Sequence, residues 1–223
     1  EGLQRLSRAH GATLFMTLQA AFAVLLSRYS AESDIVMGTA IANRVHKEVE
    51  PLIGFFVNTL VMRVEVGGDR SFVQLLQATK ERTLAAYAHQ HVPFELLVEE
   101  LNPPRSLSHS PLFQVMLVLQ NNERSSFDLQ GLKVGRRASQ YPISKFDLTL
   151  HVVETDAGLM TVWEYATDLF EQETIERLGR HFEELLKGIV EEPGRSVERL
   201  PNADPASGSF VAVLNLGVYG LLL

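Results

Sequence analysis

The chain has no cysteine, one tryptophan and fewer basic than acidic residues. Without cysteine there can be no disulfide and no thiolate metal site, and this composition fits a reducing compartment such as the cytoplasm. Lysine and arginine total 20 against 27 aspartate and glutamate, a formal net charge of −7. This balance argues against a nucleic-acid partner, because binding a phosphate backbone requires a field of positive charge. One short basic cluster, Lys133, Arg136 and Arg137, is more typical of a solvated strand edge.

The sequence also lacks a hydrophobic run long enough to cross a bilayer. The apolar part of the C-terminal stretch, FVAVLNLGVYGLLL, has 14 residues, short of the roughly 20 that a spanning helix needs. The first ten residues are charged and polar, unlike a signal peptide. We therefore expect no membrane partner. We interpret residues 203–223 as an atypical apolar tail, an artefact or a linker, that promotes aggregation or dimerisation. A chain truncated at Asp204 should then be more soluble or more monomeric.

The remaining sequence alternates between helical and extended patterns. Residues 14–28 are apolar on nearly every face, which in a globular chain predicts a helix buried on both sides. Further helices are predicted at 71–89, 94–101 and 175–189, and strands at 35–41, 56–66, 113–119, 146–153 and 159–165. The run at 113–119 is continuously apolar and predicts a central strand covered on both faces. The polar segment 121–142 predicts a hairpin or an excursion, and the interleaved elements together predict an α/β fold, a layered α/β sandwich.

Motifs for common enzyme chemistry are missing. GDRSF and GRRAS lack the glycine spacing of a phosphate loop, and neither a G-x-S-x-G elbow nor an H-E-x-x-H pair occurs. His89 and His91, in HQHVPFELLVEEL, are two residues apart with no third ligand, which does not predict a metal site. His89 is better explained as the end of a helix, and Glu95 as a first-turn residue of the next helix. We predict no catalytic residue and no metal in this chain.

Four stretches nevertheless resemble, in order and spacing, the motifs of nonribosomal peptide synthetase condensation domains. They are LIGFFVNTLVMR (52–63), HQHVPFE (89–95), RSLSHSPLFQVMLVLQN (105–121), and KFDLTLHVVE with WEYATDLFEQETIERLGRHFEELL (145–186). The resemblance extends from residue 14 to about residue 201. It implies that residues 1–202 form the C-terminal lobe of a two-lobed architecture similar to chloramphenicol acetyltransferase and other CoA-dependent acyltransferases.

The resemblance implies peptide-bond formation between aminoacyl or peptidyl thioesters carried on the phosphopantetheine of carrier proteins, with no cofactor bound directly by this lobe. The family's catalytic H-H-x-x-x-D-G motif is absent from the chain. Acyl transfer is therefore implied only together with an N-terminal lobe. The other implied partners are peptidyl carrier proteins and an adjacent adenylation domain. Two alternatives stay open: a noncatalytic lobe that docks carrier proteins, and a lobe of a related epimerization domain.

The resemblance also assigns roles to individual positions. Asn58 is expected near the lobe interface and the substrate channel; alternatively its amide satisfies backbone groups at a bend. Arg105 is expected to brace a carboxylate between the lobes, and Gln114 to bridge backbone groups where a strand begins. Gly54 is expected to permit a tight turn. The other motif positions with expected structural roles are Phe56, Thr59, His89, Gln90, Pro93, Phe94, Glu95, Pro111 and Phe113. His91 replaces the acidic residue that is usual in the family.

Overall fold

A mixed β-sheet is the frame of the molecule. The computed structural model describes residues 1–44, 47–104, 106, 109–120 and 143–201, and the backbone of 210–215 and 218–222. The strands are β1 (Asp34–Ile41), β2 (Asn58–Glu65), β3 (Val115–Gln120), β4 (Leu148–Thr155), β5 (Gly158–Tyr165), β6 (Phe210–Asn215) and β7 (Val218–Leu222). They lie in the order β2-β1-β3-β4-β5-β7-β6. Strands β1, β3 and β4 are parallel neighbours, and the other pairs are antiparallel.

The helices are α1 (Gly2–Ala9), α2 (Leu14–Ser30), α3 (Phe72–Ala88), α4 (Phe94–Leu101) and α5 (Gln172–Glu191). The start of α3 follows from a reciprocal capping box: the Gln74 N–H donates to Ser71 Oγ, and the Ser71 N–H donates to Gln74 Oε1 at 2.8 Å. This arrangement satisfies two amides that a helix start leaves without intrahelical partners. The bounds of α3 and α4 confirm the helices predicted from the sequence.

The core lies between the helices and one face of the sheet. Every residue of α2 from Phe15 to Leu25 is buried, which confirms the prediction of a helix covered on both sides. At its centre the rings of Phe22, Trp163 and Phe182 pack edge to face, with centroids 5.9 to 6.0 Å apart. Such pairs add about 0.5–1.5 kcal/mol each beyond the burial of area. This aromatic triangle ties α2, β5 and α5 together, and the layered α/β fold class is confirmed.

The N-terminal helix and one strand start differ from the predictions. Residues 1–10 were expected to be merely charged and polar, but they form α1 and bury Leu3 and Leu6. The spacing of those two leucines is helical, and the polar residues between them hide it. The predicted strand 56–66 begins two residues later, because β2 pairs with β1 only from Asn58, opposite Ile41.

Strand β3 is central, as predicted, but it is not covered along its whole length. Met116 and Leu117 are buried, whereas Val118 is half-buried and Gln120 is exposed. Full coverage therefore ends in the middle of the strand. The predicted hairpin at 121–142, with its basic cluster, lies outside the described residues.

After Pro201, the described backbone returns to the sheet. Strand β7 pairs with β5, and β6 pairs with β7. The division at residue 202 and the aggregating character of the tail stay predictions. Among the described residues, no single helix has both the length and the apolarity to cross a membrane; α1 and α2 meet that test only when joined, and they are bent by 104° relative to each other.

Residues 193–201, the C-terminal strap, are bound to the body by main-chain hydrogen bonds. The Phe72 N–H donates to the Arg195 carbonyl at 3.1 Å, and the Val197 N–H donates to the Arg70 carbonyl at 2.9 Å. Within the strap Val197 and Leu200 are buried. The strap is therefore an integral part of the lobe.

Candidate functional site

The side chain of Asn58 joins the start of β2 to the turn between α3 and α4. Its Nδ2 donates to the carbonyls of Gln90 at 2.9 Å and Val92 at 2.7 Å. Its Oδ1 accepts from the N–H of Phe94 at 3.2 Å and from the N–H of Thr59 at 2.9 Å. Both donor hydrogens and the acceptor oxygen of the amide are thus used. We call this arrangement the Asn58 clamp.

The clamp also supplies the missing cap of helix α4. Pro93 is the N-cap residue of α4 and makes no side-chain hydrogen bond to the helix. A helix start leaves several amides without intrahelical partners, and Asn58 Oδ1 satisfies the first of them, the N–H of Phe94. Glu95 lies in the first turn of α4, where a carboxylate complements the helix dipole. The start of α4 therefore depends on a residue 36 positions earlier in the chain.

The motif segment before Asn58 is an exposed apolar loop. Leu52 is 52% exposed, Ile53 105%, Phe55 91% and Val57 48%. We call residues 52–57 the apolar loop. Apolar side chains so exposed and so close together mark an interaction surface.

Arg44 supports the apolar loop from the inner side. Its guanidinium carbon lies 4.3 Å from the centroid of the Phe56 ring, a cation–π contact, and the same guanidinium donates to the carbonyls of Val49 and Glu50. Gly54, expected to permit a tight turn, has a φ outside the left-handed range; what it provides is space, since a Cβ there would lie 2.9 Å from the Phe56 ring. The loop is therefore anchored at Phe56 and at Asn58.

The two histidines lie at the surface of the turn. His89 is the C-cap residue of α3, and its N–H donates to the Ala86 carbonyl at 3.1 Å. The rings of His89 and His91 are exposed, with centroids 6.5 Å apart. Within the described part of the chain, no three histidine, aspartate or glutamate side chains lie together in a way that could hold a metal ion. Gln90 contributes its carbonyl to the Asn58 clamp.

An aromatic cluster joins this turn to the centre of the sheet. The ring of Phe113 lies 5.6 Å from that of Phe94 and 5.4 Å from that of Phe146. Phe113 is 1% exposed, and its ring occupies the space over Gly38 of β1, so that a Cβ at position 38 would collide with it. Glycine at position 38 is therefore required by close packing.

The turn before β3 positions Phe113. The N–H of Phe113 donates to the Pro111 carbonyl at 2.9 Å, and Gln114 Nε2 donates to the Ser110 carbonyl at 3.1 Å. The Gln114 carbonyl accepts from the N–H of Asp147 at 3.0 Å. Gln114 thus bridges main-chain groups of its own turn and of the segment before β4. Arg105 lies outside the described residues.

His151, on β4, is a buried histidine that no sequence motif singles out. Its Nε2 is 3.8 Å from Glu164 Oε2 on the neighbouring strand β5, and its Nδ1 is buried without a hydrogen-bond partner among the described residues. Burial lowers the pKa of the His151 imidazole below its ordinary value of 6.5, and Glu164 opposes part of that change. A lone histidine in a strand carries no pattern that reveals such surroundings, since they arise from pairing between β4 and β5.

Known proteins with similar sequences place the chain in a family. A family model, "Condensation domain", matches residues 1–207. One of the linear gramicidin synthase proteins of Brevibacillus parabrevis is 50% identical over 201 residues, which is 89% of this chain and 4% of the relative. Bacitracin synthase 3 from Bacillus licheniformis is 42% identical over 198 residues, 89% of this chain and 3% of the relative. The chain thus spans only a small part of the length of these relatives.

Solved structures share the fold. The X-domain in its complex with OxyB from teicoplanin biosynthesis superposes with a TM-score of 0.82 at 30% identity, over 91% of this chain and 45% of that one. A four-domain nonribosomal peptide synthetase bound to AMP and glycine gives 0.81 at 26% identity, over 92% of this chain and 17% of that one. The fold and the motif positions thus define one lobe of a chloramphenicol acetyltransferase-like architecture. The chain belongs to the condensation-domain family of nonribosomal peptide synthetases.

Proposed function

We propose that this chain is the C-terminal lobe of a condensation domain and that it completes a peptide-bond-forming site only when an N-terminal lobe packs against it. The supporting observation is the apolar loop at 52–57, anchored at both ends yet exposed. The chain spans 45% of the length of the solved X-domain chain that it matches. A partner surface of matching size is therefore available in the second lobe.

The chemistry of such a site requires little from this lobe beyond shape. Condensation domains act on substrates carried on phosphopantetheine, and a thioester is already activated toward an amine. The protein must align the carbonyl and the amine, exclude water and manage one proton. The family's H-H-x-x-x-D-G motif, the source of the general base, is absent from this chain. This lobe therefore contributes a wall of the channel, and Asn58 holds that wall in place.

The partners proposed for the assembled domain are the N-terminal lobe, peptidyl carrier proteins that deliver both substrates, and an adjacent adenylation domain. Arg105 and Gln114 are proposed to lie near the boundary between the lobes. The proposed location is the cytoplasm, in keeping with a sequence that contains no cysteine.

The test combines the chain with an N-terminal condensation-domain lobe and measures both association and peptide transfer between two loaded carrier proteins. The double variant Ile53→Ser and Phe55→Ser removes two apolar side chains, each contributing about 1.5–3 kcal/mol when buried at an interface. The lobes should then associate at least about a hundredfold more weakly, and peptide transfer should fall in proportion. Because both residues are exposed, the variant should unfold at the same temperature as the wild type.

Leu169→Ser is the matched control, because Leu169 is 60% exposed but lies outside the apolar loop. It should leave association unchanged. Equal association of the double variant and the wild type would refute the proposed interface. Formation of amides by this chain without a second lobe would refute the proposed division of labour.

A further inference from the structure

Helices α2 and α5 meet at an aromatic and cationic surface that the proposed condensation site does not use. The hydroxyl of Tyr29, at the end of α2, lies 2.9 Å from His181 Nδ1 on α5, and the two rings are 5.8 Å apart. Tyr29 is 42% exposed. Arg177, one turn before His181, is exposed and hydrogen-bonds to the Tyr29 side chain. We call Tyr29, Arg177 and His181 the arginine face.

A half-buried cation lies behind this surface. The guanidinium of Arg28 donates to the carbonyls of Val197, Leu200 and Pro201 in the C-terminal strap, at 2.8, 3.0 and 3.1 Å. These acceptors are neutral, so they satisfy the donors of Arg28 without cancelling its charge. Burial lowers the pKa of the Arg28 guanidinium, and no carboxylate pairs with it among the described residues.

The field at the arginine face is correspondingly positive. Burial lowers the pKa of His181, and the charges of Arg177, Arg180 and Arg28 lower it further. Arg180 contributes charge although it already has an interaction within the protein. Glu173, one helical turn before Arg177, forms no ion pair with it within the described chain.

Cations elsewhere on the surface are neutralised by neighbouring carboxylates, and this contrast sets the arginine face apart. Arg63 lies 2.7 Å from Asp34, and Lys187, also on α5, lies 2.9 Å from Glu183. The chain as a whole carries a net charge of −7. Arg177, by contrast, combines an exposed charge with an adjacent exposed ring and with further cations behind it. Such a surface on an acidic protein is a site for an anionic partner.

We propose that the arginine face is a docking surface for an acidic segment of a protein partner, whose carboxylates contact Arg177 and whose apolar side chains pack on the Tyr29 ring. A protein segment fits better than a small anion because the cation and the exposed ring lie side by side on a helix surface. Such a surface can bind a carboxylate and an apolar group together. The proposal concerns binding alone and does not depend on condensation activity.

The test measures binding of the full 223-residue chain to a fluorescent glutamate- and leucine-containing helical peptide, with the glutamine version of the same peptide as reference. The wild type should bind the glutamate peptide at least about tenfold more tightly at low salt, and the difference should shrink as salt screens the charges. Arg177→Glu should weaken binding by about tenfold or more. Arg177→Gln, which keeps the helix and removes the charge, should give an intermediate loss.

Lys187→Glu is the matched control, since it makes the same change of charge on the same exposed helix at a cation already paired with Glu183. It should change affinity by less than about twofold. Equal effects of the two reversals would reduce the binding to net charge and overturn the proposal. Failure of the wild type to distinguish the two peptides would also overturn it. Complete displacement of the peptide by equimolar inorganic phosphate would overturn it as well, since the surface would then be a simple anion site.

Discussion

Removing the Asn58 side chain should destabilise the lobe more than any other single change at its motif positions. In Asn58→Ala, the carbonyls of Gln90 and Val92 and the N–H of Phe94 lose their partner. Three hydrogen bonds at about 1 kcal/mol each, reduced by the access of water to a half-buried site, give a loss of about 2–4 kcal/mol in the free energy of unfolding. For a chain of this length, that loss lowers the melting temperature by roughly 4–16 °C.

Gln114→Ala is the graded comparison, because the Gln114 side chain donates a single hydrogen bond, to the Ser110 carbonyl. It should cost about 1 kcal/mol. Urea denaturation of both variants gives the two values, and hydrogen exchange of residues 94–101 shows whether α4 loses its protected start. If Asn58→Ala falls within about 0.5 kcal/mol of Gln114→Ala, the Asn58 clamp does not stabilise the fold as argued.

A stability loss alone does not decide the role of Asn58 in the substrate channel. The assembled domain must be compared at a temperature where wild type and Asn58→Ala are both folded. Peptide transfer that falls no further than the folded fraction would assign Asn58 a purely structural role. A larger fall would place its amide in the channel itself.

Three further changes test other parts of the structure. Gly38→Ala should cost about 1–3 kcal/mol because its methyl group meets the Phe113 ring; Phe113→Leu should recover part of the loss in the double variant, and Gly194→Ala, which has open space, should be neutral in denaturation. Because the pKa of His151 is lowered on folding, the unfolded chain binds its proton first. Stability should therefore fall as pH drops below about 6.5, by at most about 1.4 kcal/mol per pH unit, and less steeply in His151→Gln. Arg28→Met should accelerate hydrogen exchange throughout the C-terminal strap; unchanged protection there would contradict its clamping role.

Local signals predicted most of the elements. Ser71 with Gln74 marked the start of α3, and Pro93 followed by an apolar run marked α4. In both cases the determining contacts lie within a few residues. Helix α1 was missed because its buried Leu3 and Leu6 are too few to show a stripe within eight residues of mixed polarity.

The site depends on contacts that no local pattern contains. Asn58 reaches residues 32 to 36 positions away, and Arg28 reaches carbonyls 169 to 173 positions away. Family resemblance pointed to Asn58, because its motif is recognisable. It could not point to Arg28, Gly38 or His151, whose roles follow from strand order and helix packing. The close approach of Phe113 to Gly38 in particular exists only once β1 and β3 are neighbours.

The Asn58 clamp has a consequence for the exchange of segments between synthetases. Every partner of the Asn58 side chain is a main-chain atom. Side chains at positions 90, 92 and 94 can therefore vary without weakening the joint, provided that the backbone of the turn keeps its path. A chimera that replaces the turn and α4 by the equivalent piece of a relative should retain a properly seated junction whenever the recipient keeps asparagine at position 58.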